Sequence, residues 1–309
     1  MPTIPDALVA PLGDSQRLVQ ILAEVNSVSN DEAHARLLED EMHPGKRICD
    51  EMAAAGIKPF QWTDKLLEFY SSTDAFLYSS TVWNRNGEKL RLRNWIGEFL
   101  EEISETPLRI LCYGDGLGFD SLYFNLAGHE ADYFEVGELA RSFAQHIYDI
   151  NGQVLSNLSS REEIPLGEYD VIVCLDVLEH VPDPPAMIEE FQQYLKEDGR
   201  LIVSAPFYLV NRFFPAHLDS NRRFSGDFRS LYGRFGFKLH EGCIFWNPVV
   251  VGRPLATRRR TLRGFAGAMV VRLGGVILTG ARIWAAPYGW LCQGFNLLAG
   301  NKWIDTLRP

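Results

Sequence analysis

The chain of 309 residues is short of cysteine and of long uncharged apolar runs, and each shortage removes a class of protein. Its five cysteines, Cys49, Cys112, Cys174, Cys243 and Cys292, fall at irregular intervals with no CxxC pair. Neither a zinc knuckle nor a disulfide framework is built that way, and a reducing cytoplasm is the expected compartment. Residues Met1 to Asp14 lack the basic start and apolar run of a secretory signal. The most apolar stretch, Gly264 to Gly280, is interrupted by Arg272 and falls short of the roughly 20 uncharged residues that span a bilayer. There is no internal repeat and no low-complexity tract. With 46% hydrophobic residues, the chain can bury a full core and carry an extra module.

Charge divides the chain unevenly. From Arg253 to the end there are nine basic residues and one acid, Asp305, which leaves 21 basic against 39 acidic residues in the first 252. An acidic body disfavours nucleic acid as a partner. The tail sets Arg258, Arg259, Arg260 and Arg263 beside aliphatic residues and Trp284, Trp290 and Trp303. Such a mixture suits peripheral contact with an anionic membrane. It equally suits packing on the acidic body or a homo-oligomer interface, and the sequence leaves these open.

The most informative segment runs from Leu108 to Val136. Arg109 to Tyr113 reads as a short buried strand, Gly114-Asp115-Gly116-Leu117-Gly118 as a tight turn, and a helix and second strand follow. Glu135, about 20 residues after the first glycine, falls where that second strand ends, in position to accept from ribose hydroxyls. The ligand is therefore expected to be adenosine-like. In the dinucleotide fingerprint the third glycine comes three residues after the second; here the spacing is GxGxG, so a pyrophosphate is disfavoured.

In these residues the chain resembles the class I S-adenosylmethionine-dependent methyltransferases. The resemblance continues through Tyr169 to Leu175 as a fully apolar fourth strand, Asp176-Val177-Leu178-Glu179-His180-Val181 at its carboxyl end, and LKEDGRLIVSAP up to Pro206. It implies an α/β fold with a doubly wound, mostly parallel seven-stranded Rossmann-like sheet, and S-adenosylmethionine as cofactor. The cofactor-binding residues it implies are Tyr113, Gly114, Asp115, Gly116, Gly118, Glu135, Val136, Leu175 and Asp176. The family carries an acid where this chain has Cys112.

A methyl transfer from a sulfonium mainly needs alignment, and a hydroxyl acceptor also needs a base or a metal. Asp176, Glu179 and His180 form D-x-x-E-H, and His217 follows in a later loop. Two carboxylates and two imidazoles brought together can hold a divalent ion. The pattern resembles the magnesium-binding E-x-x-E-H of small-RNA terminal 2'-O-methyltransferases and the related segment of ubiquinone-pathway O-methyltransferases. Asp176, Glu179, His180 and His217 are thus metal candidates, with Mg2+ the implied ion. His217, His180 and Glu179 are the catalytic candidates, and His217 can equally act as base without a metal. Arg222 and Arg223 could clamp an anionic substrate, since guanidinium forks bind carboxylate and phosphate bidentately. The expected reaction is O-methylation of a small molecule; carbon or nitrogen methylation, and a catalytically silent cofactor-binding scaffold, remain alternatives.

The first hundred residues carry apolar residues at helical spacing over Ser15 to Val28, Asp31 to Ala55 and Asp64 to Tyr70. In the resembling family such an extension forms a lid, and the polar cluster at Trp83 makes that residue a substrate-binding candidate. Further helices are expected over Met187 to Leu195, stopped by Asp198-Gly199, and over Phe228 to Phe235. The expected division is a helical extension or lid over 1–100, a cofactor-binding domain over 101–252 and the basic apolar segment over 253–309.

Overall fold

The computed structural model describes residues 5–225, 231–242 and 248–252 together with Met269. Among these, six helices come first: α1 (Ser15–Asn26), α2 (Asn30–Met42), α3 (Lys46–Ala54), α4 (Asp64–Ser72), α5 (Ala75–Arg85) and α6 (Gly87–Ile103). Strands and helices then alternate as β1 (Arg109–Tyr113), α7 (Phe119–Leu126), β2 (Glu130–Phe134), α8 (Glu138–Ile150), β3 (Asn157–Leu158), β4 (Tyr169–Leu175), α9 (Pro184–Tyr194) and β5 (Leu195–Ser204). β6 (Lys238–Gly242) and β7 (Pro248–Gly252) complete the sheet.

Side-chain caps set the helix starts. Asp14, Ser29, Thr63 and Asn86 each accept a backbone N–H from the first turn of α1, α2, α4 and α6. The single helical stretch expected over Asp31 to Ala55 is broken at His43-Pro44-Gly45. Gly45 has φ +74°, and a side chain there would run into the Phe213 carbonyl oxygen. The break brings α3 against a loop that carries a candidate site residue.

The strand order is β3-β2-β1-β4-β5-β7-β6, with β7 antiparallel to both its neighbours and the other pairs parallel. Alternation along the strands fills two cores. Ile110, Cys112, Val171, Val173 and Ile202 face one side, where α1, α2, α5, α6 and α7 contribute. Leu111, Tyr113, Ile172, Cys174, Leu201 and Val203 face the other, against α9. The first core runs unbroken from Ala7 through the helical extension to the sheet, and α6 crosses the expected boundary at residue 100. Strand order reverses between β1 and β4, which opens a crevice at their carboxyl ends.

Two local expectations are corrected. Asp198 and Gly199 do not separate helix from strand: α9 ends at Tyr194 and β5 starts at once, with a register irregularity opposite Tyr169 and Val171. Gly199 allows this because a Cβ there would stand 2.9 Å from Leu195 Cδ2 and 3.0 Å from the Tyr169 carbonyl. The helix expected up to Phe235 is, in its described part, a short 3-10 turn over Gly233–Phe235. The calls on the segment 253–309, membrane contact and oligomer interface included, lie outside the described residues apart from Met269. No helix among the described residues is long and apolar enough to cross a membrane.

Candidate active site

β1 ends at Tyr113, whose ring packs on Phe134 and Phe191, and the chain turns through three left-handed glycines with φ of +70°, +59° and +79°. The three differ in purpose. Cβ atoms at Gly114 and Gly118 would stand 2.6 Å from Val177 and 2.8 Å from Ala144, whereas one at Gly116 would meet nothing within 4 Å. Gly114 and Gly118 therefore permit close packing, and Gly116 leaves open space in front of the turn. β2 holds the turn's tip from both sides: Tyr133 Oη donates to the Gly116 carbonyl at 2.7 Å, and the Gly116 N–H donates to Glu135 Oε2 at 3.0 Å. Glu135 Oε1 accepts from the Val136 and Gly137 N–H groups at 2.8 and 2.9 Å, and half of Val136 is exposed beside it. Burial raises the Glu135 pKa, and these N–H donors oppose the rise. A carboxylate offers about four acceptor sites, so capacity for a hydroxyl remains on Oε2.

The crevice encloses about 510 Å³ of empty space between the glycine turn, the end of β4 and helices α5 and α6. Leu175 and Asp176 line it from β4 and Trp83 from α5. Asp176 adopts φ +58°, an uncommon conformation for a non-glycine residue, and its N–H continues the sheet to the Ser204 carbonyl at 2.7 Å. Trp83 Nε1 donates to Asp176 Oδ2 at 2.9 Å, so the aromatic residue expected at the substrate also fixes a carboxylate of the cofactor crevice. Asp115, although it lines the same space, turns its carboxylate inward and accepts from the N–H groups of Asp120 and Ser121 at 3.1 and 2.8 Å. Burial, with Asp120 close by, pushes its pKa up to about 7. Asp115 thus serves as the cap of α7.

Beyond the crevice, the turn after β4 and the loop after β5 bring together three of the four metal candidates. The ligand atoms of Glu179, His180 and His217 all lie within 4.8 Å of one another. Asp176 is not one of the group, because its carboxylate is committed to Trp83 on the crevice side. Glu179 Oε1 stands 3.9 Å from Nε2 of both imidazoles, and neither of its oxygens has a hydrogen-bond partner among the described residues. Burial, and then the nearby Asp176, push the Glu179 pKa well above the ordinary carboxylate range. Burial lowers His180 to about 4 against the opposing Ala216 hydrogen bond, and burial together with His180 lowers His217 well below its ordinary value. Both rings are neutral at pH 7 and present lone pairs.

The proton of His180 can be placed. Its Nδ1 lies 2.8 Å from Tyr70 Oη and 3.2 Å from the Ala216 carbonyl, and a carbonyl only accepts. Nδ1 therefore carries the hydrogen and Nε2 faces Glu179 with a lone pair. The loop is held to the turn by Asn221, which is fully buried and whose amide nitrogen reaches the carbonyls of Leu178, Glu179 and Val181 at 3.3, 3.2 and 2.8 Å. Its neighbours face outward: Arg222 pairs with Asp219 at 3.2 Å, and Arg223 is exposed with its guanidinium over the Phe224 ring. Neither arginine lines the crevice. In the 3-10 turn Asp219–Phe224 it is Asn221 that points inward, which turns the two arginines away.

Tyr70 and Asn221 carry no pattern that reveals them in the sequence. Both act across long separations, 110 residues in the case of Tyr70 and His180. A buried Asn beside two exposed arginines is the only local hint.

A family profile described as a methyltransferase domain matches residues 84–240, just over half of the chain. The chain is similar to the ubiquinone biosynthesis O-methyltransferase of Aromatoleum aromaticum, at 31% identity over 36% of this chain and 47% of that protein. It is also similar to the protein of the same name in Pseudomonas putida, at 30% identity over 44% of this chain and 60% of the relative. The chain thus spans about half the length of the curated relatives it matches. Among solved structures it is similar to a magnesium protoporphyrin IX methyltransferase from Synechocystis PCC 6803, at 17% identity, 62% and 98% coverage, and a TM-score of 0.47. With the profile laid over the glycine turn, the acid after β2, the β4 edge and a sheet ordered 3-2-1-4-5-7-6, the chain belongs to the class I S-adenosylmethionine-dependent methyltransferases.

Proposed function

We propose that the protein transfers the methyl group of S-adenosylmethionine to a hydroxyl oxygen of a small-molecule acceptor. S-adenosylmethionine, when bound, supplies the electrophilic methyl carbon, so the chain's own task is alignment and proton handling. The turn Gly114 to Gly118 and Glu135 take the adenosine end, and the β4 edge at Leu175 and Asp176 takes the sulfonium side. His217 and His180 receive the acceptor's hydroxyl proton, and Glu179, buried between them, stabilises the resulting imidazolium. The aromatic rings of Tyr70 and Phe214 lie against these imidazoles and favour an aromatic acceptor.

The carrying observation is the buried, unpartnered Glu179 carboxylate set 3.9 Å from two neutral imidazoles. That trio also fits a divalent cation, which would lower the hydroxyl's pKa; Glu179, His180 and His217 would hold it. Two of three donors are imidazole nitrogens. The set suits Zn2+ or Mn2+ better than Mg2+, which prefers oxygen. The relatives' names support oxygen as the acceptor atom.

The test is turnover of S-adenosylmethionine by the full chain with a panel of phenols, catechols and amines, read by mass spectrometry with EDTA and with each ion added. Methylation of hydroxylated members alone, lost in His217→Ala, is the expected result. Amine methylation that survives His217→Ala refutes the assignment to oxygen. Binding of cofactor without turnover on any acceptor would instead mark a scaffold.

A further inference from the structure

Cys112 stands where the family carries an acid, and its neutral thiol, pushed well above its ordinary pKa by burial and the nearby Asp115 and Asp120, offers the cofactor no charge. The charged groups at that end of the crevice come from elsewhere. Lys89 of α6 and Asp120 of α7 both line it and both are buried. Lys89 Nζ lies 2.7 Å from Asp120 Oδ2, and Arg93 Nε lies 2.8 Å from Asp120 Oδ1. One carboxylate therefore faces two cations. Arg93 is fully buried and spends its other nitrogens on the Ala7 carbonyl and Asn84 Oδ1. Lys89 has three N–H donors and gives one to Asp120, its only hydrogen-bond partner among the described residues. Asp115 cannot balance the excess, being turned onto the α7 amides and raised to about 7. Across the crevice Asp176, fixed by Trp83, supplies a negative group.

We propose that Lys89, held by Asp120, is the seat of the carboxylate at the amino-acid end of S-adenosylmethionine, with Asp176 facing the ammonium. This rests on the methyltransferase reading above. A buried cation with donors to spare at the crevice wall is stabilised by an anion that completes its hydrogen bonds, and a zwitterion matches one wall of each sign. The seat belongs to the helical extension's last helix, so the cofactor's amino-acid end is gripped from α6 and its adenosine end from β2.

The test is calorimetric titration of the full chain with S-adenosylhomocysteine and with 5'-methylthioadenosine, which keeps the adenosine and the thioether but lacks the amino-acid end. For Lys89→Met the expected result is a Kd for S-adenosylhomocysteine raised about tenfold or more, with methylthioadenosine within about twofold of wild type. Methylthioadenosine binding also reports that the crevice is folded. If Lys89→Met binds neither ligand, Lys89→Gln, which still donates to Asp120, is judged by the same ratio. Equal weakening of both ligands, or of neither, overturns the seat while leaving the cofactor reading intact. A wild-type chain that binds neither compound overturns both.

Discussion

Replacing Glu179 by glutamine keeps the size of the side chain and removes its charge, and in the metal-free protein this should stabilise the fold. The residue is 1% exposed, both its oxygens lack hydrogen-bond partners among the described residues, and burial raises its pKa well above the ordinary 4.5. An unsatisfied buried polar group costs about 1–3 kcal/mol, and a charged one more. Recovering about 1–3 kcal/mol at roughly 2 °C per kcal/mol for a chain of this size raises Tm by roughly 2–6 °C. The sign depends on pH. A carboxyl whose folded pKa lies above its unfolded value contributes stability that is complete below about 4.5 and is lost as pH rises through the folded pKa, so the variant gains nothing near pH 4 and most near pH 8. The measurement is thermal unfolding in EDTA at both pH values. Zn2+ or Mn2+ should then raise the Tm of the wild type and not of the variant, and turnover should fall about 100-fold or more. A Glu179→Gln protein that melts several degrees below wild type in EDTA at pH 8 would falsify the reasoning, because it would mean that the carboxylate is satisfied in the native core.

The two outer glycines of the turn and its tip should respond oppositely to alanine. Gly118→Ala, with φ +79° and a methyl driven to 2.8 Å from Ala144, should cost about 2–4 kcal/mol of stability. Gly116→Ala should cost about 1 kcal/mol while weakening S-adenosylhomocysteine about tenfold or more, and melting curves with titrations that show equal losses in both variants would contradict the packing argument. Tyr70→Phe removes the hydroxyl beside His180 Nδ1 and should lower kcat about 10-fold without moving the KM for cofactor, and a change confined to KM would speak against a positioning role. Metal-free protein should lose stability on acidification. His180, depressed to about 4, contributes stability that is complete above about 6.5 and is lost as pH falls toward 4, of order 3 kcal/mol, and His217 acts in the same direction. Unfolding curves between pH 7 and 5 that coincide for wild type and His180→Gln would rule this out.

How far the sequence could be read depended on whether a feature is local. The strand, turn, helix and acid from Leu108 to Glu135 are legible because hydrophobic alternation, three glycines and a carboxylate occur within one βαβ unit, and the sheet order follows once β4 and β5 are recognised. Glu179 and His180 are legible for the same reason. His217 is visible as a residue type, but its arrival beside Glu179 depends on Asn221 and on a backbone bond from the Leu218 N–H to the Glu179 carbonyl at 3.0 Å. Lys89 and Asp120 read as ordinary helix-surface charges until α6 and α7 are packed together, when both prove buried. Arg222 and Arg223 show the opposite error: adjacent cations suggest a clamp, yet the geometry of one 3-10 turn decides which of three neighbours points inward.

The helical extension is tied to the reacting end in a way that restricts how the site can open. Tyr70 of α4 touches His180 with its hydroxyl, and its carbonyl lies 3.8 Å from where a Cβ on Gly137 would stand, beside the N–H that Glu135 accepts. One residue therefore covers both the ribose acid and the reacting histidine. The segment before it is bonded to the His217 loop through the Phe60 N–H to the Pro215 carbonyl and the Asp219 N–H to the Phe60 carbonyl, each 2.9 Å. Leu218 is buried in the same small core as Ile48, Met52, Leu66 and Phe69. α4 cannot lift from the crevice without loosening the loop that carries His217, so admitting cofactor and disassembling the proton-handling group are one motion. Hydrogen exchange with and without S-adenosylhomocysteine reads this directly. Amides of residues 60–72 and 213–219 should gain protection together on binding, and protection gained by the first segment while the second stays unchanged would break the coupling and return α4 to the role of a simple cover.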